Sequence, residues 1–211
     1  PTVFAGYLRR DGDHRSVSGD DAVVGGRLRT GDLGFVRDER IHLRGRQKDL
    51  IIRGGHNIDP AVIEDALLAH PAVAAAAAVG RPHRFSGEIP VAFVALAADT
   101  TVEELTAWAR THITEPAARP ELITVLGAIP LTEIGKPFKP ALRETAAARH
   151  FHDEFVAHGI DAIEIGVAHE AGRLVVRLTG KRRGEDELDK AAALLREYDV
   201  LVRTEEEGTR R

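Results

Sequence analysis

Apolar positions along this chain fall into short runs separated by Gly, Pro and Asp, a pattern that predicts many small elements. Residues 1–25 are rich in Gly and Asp, with turn signals at Asp11-Gly12, Ser18-Gly19 and Gly25-Gly26. From Arg27 to Gln47 the pattern gives two short strands, Leu33–Val36 and Ile41–Arg44, around a turn at Arg37-Asp38-Glu39. Leu50-Ile51-Ile52 reads as another strand, broken by Gly54-Gly55. A helix is predicted from Asp59-Pro60, because an Asp can cap free N–H groups and Pro at the first helical position forfeits no bond. Ile63, Ala66 and Leu67 share its apolar face, and His70-Pro71 ends it.

The run Ala72–Val79 sets two rules against each other. Five consecutive alanines, Ala74–Ala78, favour a helix by propensity. Yet the run is short and bounded by Pro71 and Gly80-Arg81-Pro82, which leaves a helix marginal, so it reads as a buried strand. Val91–Leu96 and Ile123–Leu126 are the next two strands. Between them Thr101-x-x-Glu104 is a capping box, with Leu105, Trp108, Ala109 and His112 on one helical face and Trp108 read as core. Residues 130–140 (PLTEIGKPFKP) hold three prolines and a glycine, and read as a loop.

Beyond that loop an α-β-β-α-β order is expected. Helix 143–158 buries Ala148, Phe151 and Phe155 and stops at Gly159. Strands 162–168 and 173–179 flank a turn at Glu170-Ala171-Gly172, the second with Leu174, Val176 and Leu178 on one face. Helix 185–198 buries Leu188, Ala191, Leu195 and Tyr198, and Val200–Val202 closes the series. Glu205-Glu206-Glu207 and Arg210-Arg211 read as a frayed tail. His150, His152 and Asp153 are read as a solvated helix face, because i and i+2 diverge on a helix.

Composition narrows the class. With 43% apolar residues in 211, a core can form, which argues against wholesale disorder. The net charge of −4, from 29 basic and 33 acidic residues, argues against a nucleic-acid binder with a broad basic face. The absence of cysteine excludes disulfides and Cys-type metal sites and suits a cytoplasmic protein. No apolar run reaches the roughly 20 residues needed to cross a bilayer, and no signal peptide is visible. The chain begins Pro1-Thr2-Val3 and contains no methionine, so a fragment is expected.

Three segments carry candidate chemistry. In Arg29-Thr30-Gly31-Asp32-Leu33-Gly34, a carboxylate at a Gly-bordered turn can accept two hydrogen bonds from a vicinal diol such as a ribose; a solvated turn Asp is the plain alternative. In residues 45–58 (GRQKDLIIRGGHNI), Arg46 offers a planar fork to ribose or phosphate oxygens. There Lys48-Asp49 joins two strands where a dihedral can swing, and Gly54-Gly55 lets backbone approach a ligand; a charged interstrand turn is the alternative. In residues 130–139 (PLTEIGKPFK), Pro137 keeps Lys136 extended and Gly135 frees the backbone before it. An ammonium so displayed can neutralise charge developing on a phosphoryl or carboxylate oxygen. This is not a P-loop, since Pro137 follows Lys136 and Pro130 stands where the first Gly belongs.

In this order and at these separations the three segments resemble the adenylate-forming superfamily of acyl-CoA synthetases, nonribosomal adenylation domains and luciferases. Pro1–Leu8 (PTVFAGYL) and Gly87–Val94 (GEIPVAFV) match as well, so the likeness covers roughly residues 1–143. The resemblance implies an α+β chain in three parts. Residues 1–46 would be an edge β-hairpin of the large adenylating domain, 47–143 a mobile mixed-sheet lid with flanking helices, and 144–211 an appended α-β-β-α-β unit. It also implies roles: Asp32 on the ribose hydroxyls of the nucleotide, Arg46 on the same ribose and phosphate region, and Lys48 at the hinge. Lys136 would be the lid lysine between carboxylate and α-phosphate, and Gly54 and Gly55 would line the pantetheine path.

The implied cofactors are ATP, CoA and Mg²⁺, the metal arriving through ATP with no ligand from this chain; the implied partners are a carboxylic acid substrate and an N-terminal adenylating domain. The family's phosphate-binding Ser/Thr/Gly loop, acyl pocket and Mg²⁺-associated acid are not in this sequence, and residues 115–122 (EPAARPEL) lack the usual basic-Pro lead-in. Alone, such a chain is expected to be inert. Two alternatives are an acyl-AMP ligase that loads a carrier protein and a non-catalytic interaction module that keeps the lid fold; joint retention of Asp32, Arg46 and Lys136 weighs against the second. Lys181-Arg182-Arg183 reads as a hydrated turn, with a CoA-phosphate contact as the lesser option.

Overall fold

The computed structural model describes residues 7–11, 14–18, 23–24, 27–170, 173–180 and 185–206. The turns expected at Asp11-Gly12, Ser18-Gly19, Gly25-Gly26 and Glu170-Ala171-Gly172 include residues outside that set, as do Lys181-Arg182-Arg183 and the last five residues. The chain divides into two compact units, Pro1–Lys48 and Asp49–Arg211.

The first unit is made of antiparallel hairpins. Tyr7–Asp11 (β1) pairs with His14–Ser18 (β2), Val23–Val24 (β3) with Arg27–Leu28 (β4), and Asp32–Arg37 (β5) with Arg40–Arg46 (β6). The β5–β6 turn runs through Asp38 and Glu39 at φ 49° and 60°, a primed turn whose twist suits a hairpin. Gly34 is required by space: a Cβ there would lie 2.7 Å from the His42 carbonyl oxygen. Register places Val36 opposite Ile41 and Gly34 opposite Leu43, so Val36, Ile41 and Leu43 share one face, and all three are exposed.

The second unit is built on a five-stranded sheet. Gly87–Leu96 (β10) pairs antiparallel with Val73–His83 (β9) and parallel with Leu122–Leu126 (β11). Through the single register pair Gly87↔Arg53, β10 also meets Ile51–Arg53 (β7), which turns back into His56–Ile58 (β8). The alanine run is indeed a strand. Its small side chains let helices approach from both sides, with Ala76 and Ala78 packed among Ile63, Leu67 and Leu105, and Ala77 and Val79 among Leu142 and Ala146.

Pro60–Leu68 (α1) starts as expected, the Ala61 N–H donating to Asp59 Oδ1 at 3.0 Å. Val102–His112 (α2) carries the complete Thr101/Glu104 capping box. Trp108 is only part-buried: its indole N–H donates to the Ala66 carbonyl at 2.8 Å while its face stacks on the exposed His112.

Lys139–Ala157 (α3) begins earlier than the pattern suggested. Pro140 was counted against regular structure, but a proline in the first turn of a helix sacrifices no hydrogen bond. This one helix serves two cores: Leu142 and Ala146 close the lower face of the five-stranded sheet, and Ala147, Phe151 and Phe155 enter a second cluster. That cluster lies on the three-stranded sheet of Ile163–Glu170 (β12), Arg173–Gly180 (β13) and Leu201–Glu206 (β14), with Glu185–Leu195 (α4) linking the parallel pair β13–β14. Leu188, Ala191, Leu195 and Tyr198 are buried there as expected. Two readings are corrected. Glu205 and Glu206 are strand residues paired with Thr179 and Gly180. His150 is not solvated: it is 9% exposed, with Nε2 at 3.2 Å from the Tyr198 hydroxyl, while His152 and Asp153 do face water.

Candidate functional site

The first unit joins Asp32 and Arg46. Asp32 opens β5 and Arg46 closes β6, and as register partners they bring Arg46 Nε to 3.2 Å from Asp32 Oδ1. Gly31, at φ 75°, turns the chain into the hairpin, and its carbonyl accepts the Gln47 N–H at 2.8 Å. The Asp32 N–H donates to Thr30 Oγ1 at 3.1 Å, so Thr30 orients the acid's backbone, a detail the sequence reading passed over. Both side chains remain open to solvent, with 32% of the Asp32 side chain and 54% of Arg46 exposed. An acceptor beside a planar donor, both accessible, can bind a vicinal diol and an adjoining anion. Lys48 follows in the 3-10 turn Gln47–Asp49, and the division between the two units falls directly after it.

In the second unit Gly54 and Gly55 form the two-residue β7–β8 turn at φ 54° and 85°. Those values match a primed turn, in which Gly carries no Cβ penalty. A Cβ on either would meet no atom within 4 Å, so backbone conformation, not crowding, selects glycine and the surface around the turn is open. The Gly54 N–H donates to the Ser86 carbonyl at 2.8 Å, which fastens this turn to the β9–β10 hairpin.

The Lys136 loop is tightly closed. Leu131 bridges Pro137, the Thr132 N–H donates to the Lys136 carbonyl at 2.7 Å, and the Phe138 N–H donates to the Pro130 carbonyl at 2.7 Å. Thr132 Oγ1 accepts the Lys136 N–H at 3.1 Å, and Gly135 at φ 77° makes the reversal. Lys136 is exposed, and among the described residues its ammonium has no hydrogen-bond or ion-pair partner.

Sequence reasoning missed what roots this loop. Lys139 and Arg143, one helical turn apart at the start of α3, reach different elements: Lys139 Nζ lies 2.8 Å from Glu64 Oε1 of α1, and Arg143 lies 3.3 Å from Asp49 Oδ1. Glu64 Oε1 also accepts the Ala78 N–H at 2.8 Å, tying α1 to β9. These side chains are mostly buried, where an ion pair is screened less than at the surface. The i, i+4 spacing of two cations was visible, but their partners, distant in sequence, were not. Glu88 was also missed. Its carboxylate accepts the Ile52 N–H at 2.9 Å, and burial holds its pKa above the ordinary value against the lowering effects of that bond and the Arg143 charge.

Among the described residues no group of three or more His, Asp or Glu is placed to hold a metal ion. No helix among them is long and apolar enough to cross a membrane.

Comparison with known proteins finds relatives for part of the chain. Residues 62–136 match the AMP-binding enzyme C-terminal domain. The chain is 47% identical over 142 residues to the marinolic acid–CoA ligase of Pseudoalteromonas sp. (strain SANK 73390), covering 66% of this chain and 21% of that protein. It is 45% identical over 106 residues to the 2-succinylbenzoate–CoA ligase of Bacillus cytotoxicus, covering 50% of this chain and 21% of that one. The o-succinylbenzoate CoA synthetase of Bacillus subtilis, solved with its acyl-adenylate, superposes with a TM-score of 0.54 at 34% identity over 58% of this chain and 25% of its own. An amide bond synthetase from Marinactinospora thermotolerans superposes with a TM-score of 0.53 at 40% identity, over 58% and 25% respectively. The chain thus spans about a fifth of the length of the curated relatives it matches.

Proposed function

We propose that this chain, whose residues 62–136 match the AMP-binding enzyme C-terminal domain, acts within an ATP-dependent, AMP-forming carboxylate–CoA ligase. In the first half-reaction a carboxylate oxygen attacks the α-phosphorus of ATP and pyrophosphate leaves. In the second, the CoA thiolate attacks the acyl carbon, and AMP departs with the electron pair of the mixed-anhydride bond.

The observation that carries this reading is Lys136: an exposed ammonium without a partner among the described residues, on a loop stiffened by Thr132 and Pro137. Attack of one anion on another builds negative charge that a preorganised cation stabilises without reorganising, an effect worth roughly a hundredfold to a thousandfold in rate. Asp32 accepts hydrogen bonds from the ribose hydroxyls, and Arg46 holds the same ribose and phosphate region. Lys48 is the hinge. Residues 47–143 form the lid, and 144–211 are an appended unit. The swing exposes Lys136 for adenylation and the Gly54-Gly55 turn, along which pantetheine runs, for thioester formation. Mg²⁺ enters on the ATP phosphates.

An adenylating domain supplies the acyl pocket. The exposed face of Val36, Ile41 and Leu43 on residues 1–46 supports this, since an apolar stripe on a two-stranded ribbon calls for a cover. A cytoplasmic setting suits the supply of ATP and CoA. By itself the chain is inert, having the lid lysine but an incomplete nucleotide pocket. The likeness to an amide bond synthetase favours a second reading in which an amine replaces the thiol as acceptor.

The test is Lys136→Ala in the full-length protein, read by ATP–pyrophosphate exchange with a panel of carboxylic acids. Exchange should fall roughly a hundredfold or more. An unchanged rate would favour a non-catalytic module. Competing CoA, carrier protein and amine acceptors against one another then identifies the nucleophile.

A further inference from the structure

The β7 strand carries the Gly54-Gly55 turn and is paired along its length with β8, but its ladder with β10 is minimal. It is three residues long, and its register with β10 consists of Gly87↔Arg53 alone. Towards β8 its middle residue, Ile52, is the register partner of Asn57, but on the β10 side it is gripped by side-chain and steric contacts instead of a ladder. The Ile52 N–H donates to Glu88 Oε2 at 2.9 Å, and the Ile52 carbonyl abuts Gly87, where a Cβ would come within 3.3 Å. Glu88 is itself seated in a fitted place. Its carboxyl lies over Gly80, and a Cβ on that glycine would stand 2.4 Å from the carboxyl carbon, so no other residue at position 80 leaves the acid room. Arg143, whose charge favours the ionised form of Glu88, is also paired with Asp49, the last residue of the Gln47–Asp49 turn.

Building on the ligase reading above, we propose that Glu88 is a positioning residue for the thioester-forming half-reaction: seated on Gly80, its carboxylate fixes β7 through the Ile52 N–H and so sets the Gly54-Gly55 turn against which the thiol arm lies. The acid touches neither nucleotide nor acyl group. An ionised acceptor suits the task because its hydrogen bond is roughly twice as strong as a neutral one. Burial raises the Glu88 pKa, and the Ile52 N–H and then the Arg143 charge work against that rise by favouring the ionised form. Within the second unit, Asp49 is paired with Arg143, the Arg143 charge acts on Glu88, and Glu88 holds Ile52 two residues before the glycine turn.

The experiment separates the half-reactions in the full-length protein, with ATP–pyrophosphate exchange for adenylation and steady-state thioester formation for the KM of CoA. Glu88→Ala removes the acceptor, and Gly80→Val evicts the carboxylate without touching it chemically. Both should leave exchange within about twofold and raise the KM for CoA roughly tenfold, with a smaller change in kcat. Glu88→Gln keeps a carbonyl oxygen for Ile52 and should restore the KM to within about threefold of the parent. A KM for CoA unchanged in an exchange-competent Glu88→Ala protein overturns the proposal, and so does an equal loss in both half-reactions. Absence of exchange in the parent with every acid tried would instead overturn the ligase reading, so the two failures are distinct.

Discussion

The Asp32–Arg46 pair and the Lys136 loop handle charge in opposite ways. Asp32 and Arg46 close a hairpin, and each already faces its complement at 3.2 Å in an exposed setting. Lys136 tops a loop held by four backbone contacts, and its ammonium faces solvent without a partner among the described residues. A surface ion pair is worth about 0–1 kcal/mol, so a diol can insert between Asp32 and Arg46 at little cost. Two opposite charges side by side favour a neutral, hydrogen-bonding guest. A lone cation on a stiff support favours charge that is still forming. Binding and catalysis, on this reading, call for different electrostatics even at the scale of single side chains.

Three substitutions in the full-length protein, ranked by expected effect, would break or sharpen that contrast. Lys136→Ala stands first, with its loss confined to adenylation and the KM for ATP nearly kept. Were the KM for ATP to rise in step with the loss of rate, Lys136 would be a binding group and the contrast would fail. Asp32→Ala stands second and should do the reverse: the KM for ATP rises roughly tenfold to a hundredfold, the scale of hydrogen bonds to a charged acceptor, while kcat moves little. A deoxyribose analogue of ATP should be discriminated against by the parent and not by this variant. Thr132→Val, third, keeps shape but deletes the acceptor for the Lys136 N–H, at about 1 kcal/mol or roughly fivefold in adenylation. If Thr132→Val matched Lys136→Ala, the loop fold would matter more than the ammonium.

What could be seen beforehand follows from range. The α1 cap at Asp59, the α2 capping box and the glycine turn are written within four residues of themselves, and each formed as expected. The alanine run was legible as a strand because its short length left a helix marginal, but Gly80-Arg81-Pro82, read as its boundary, continue the strand to His83. The α3 start was misjudged through Pro140, which a local rule penalises mid-helix and a positional rule admits in the first turn. The contacts that root the Lys136 loop and hold β7 were beyond reach: Asp49 and Arg143 lie 94 positions apart, and Ile52 and Glu88 lie 36 apart. Such pairings depend on how β7, β9 and α3 stack, which no window of sequence contains.

His150 belongs to the same class, since its partner Tyr198 is 48 positions away, and it yields the smallest effect, on stability and not on rate. Burial, followed by the nearby Arg81 charge, lowers its pKa from 6.5 to about 4, and burial raises that of Tyr198 to about 12. Glu154 and Asp153 oppose the fall on His150, and His83 adds to it. A depressed pKa means that the folded state prefers the neutral ring. The stabilisation is therefore complete above pH 6.5, where the unfolded chain is also neutral, and drains away as pH falls towards 4, because unfolding then takes up a proton. His150→Gln can still bond the Tyr198 hydroxyl but does not titrate. Melting curves of the parent at pH 7 and pH 5 should differ by more than those of His150→Gln, and the parent's excess should vanish above pH 7. Equal pH dependence in the two proteins would mean that the ring is hydrated in solution, and the α3–Tyr198 contact would lose its place in the core.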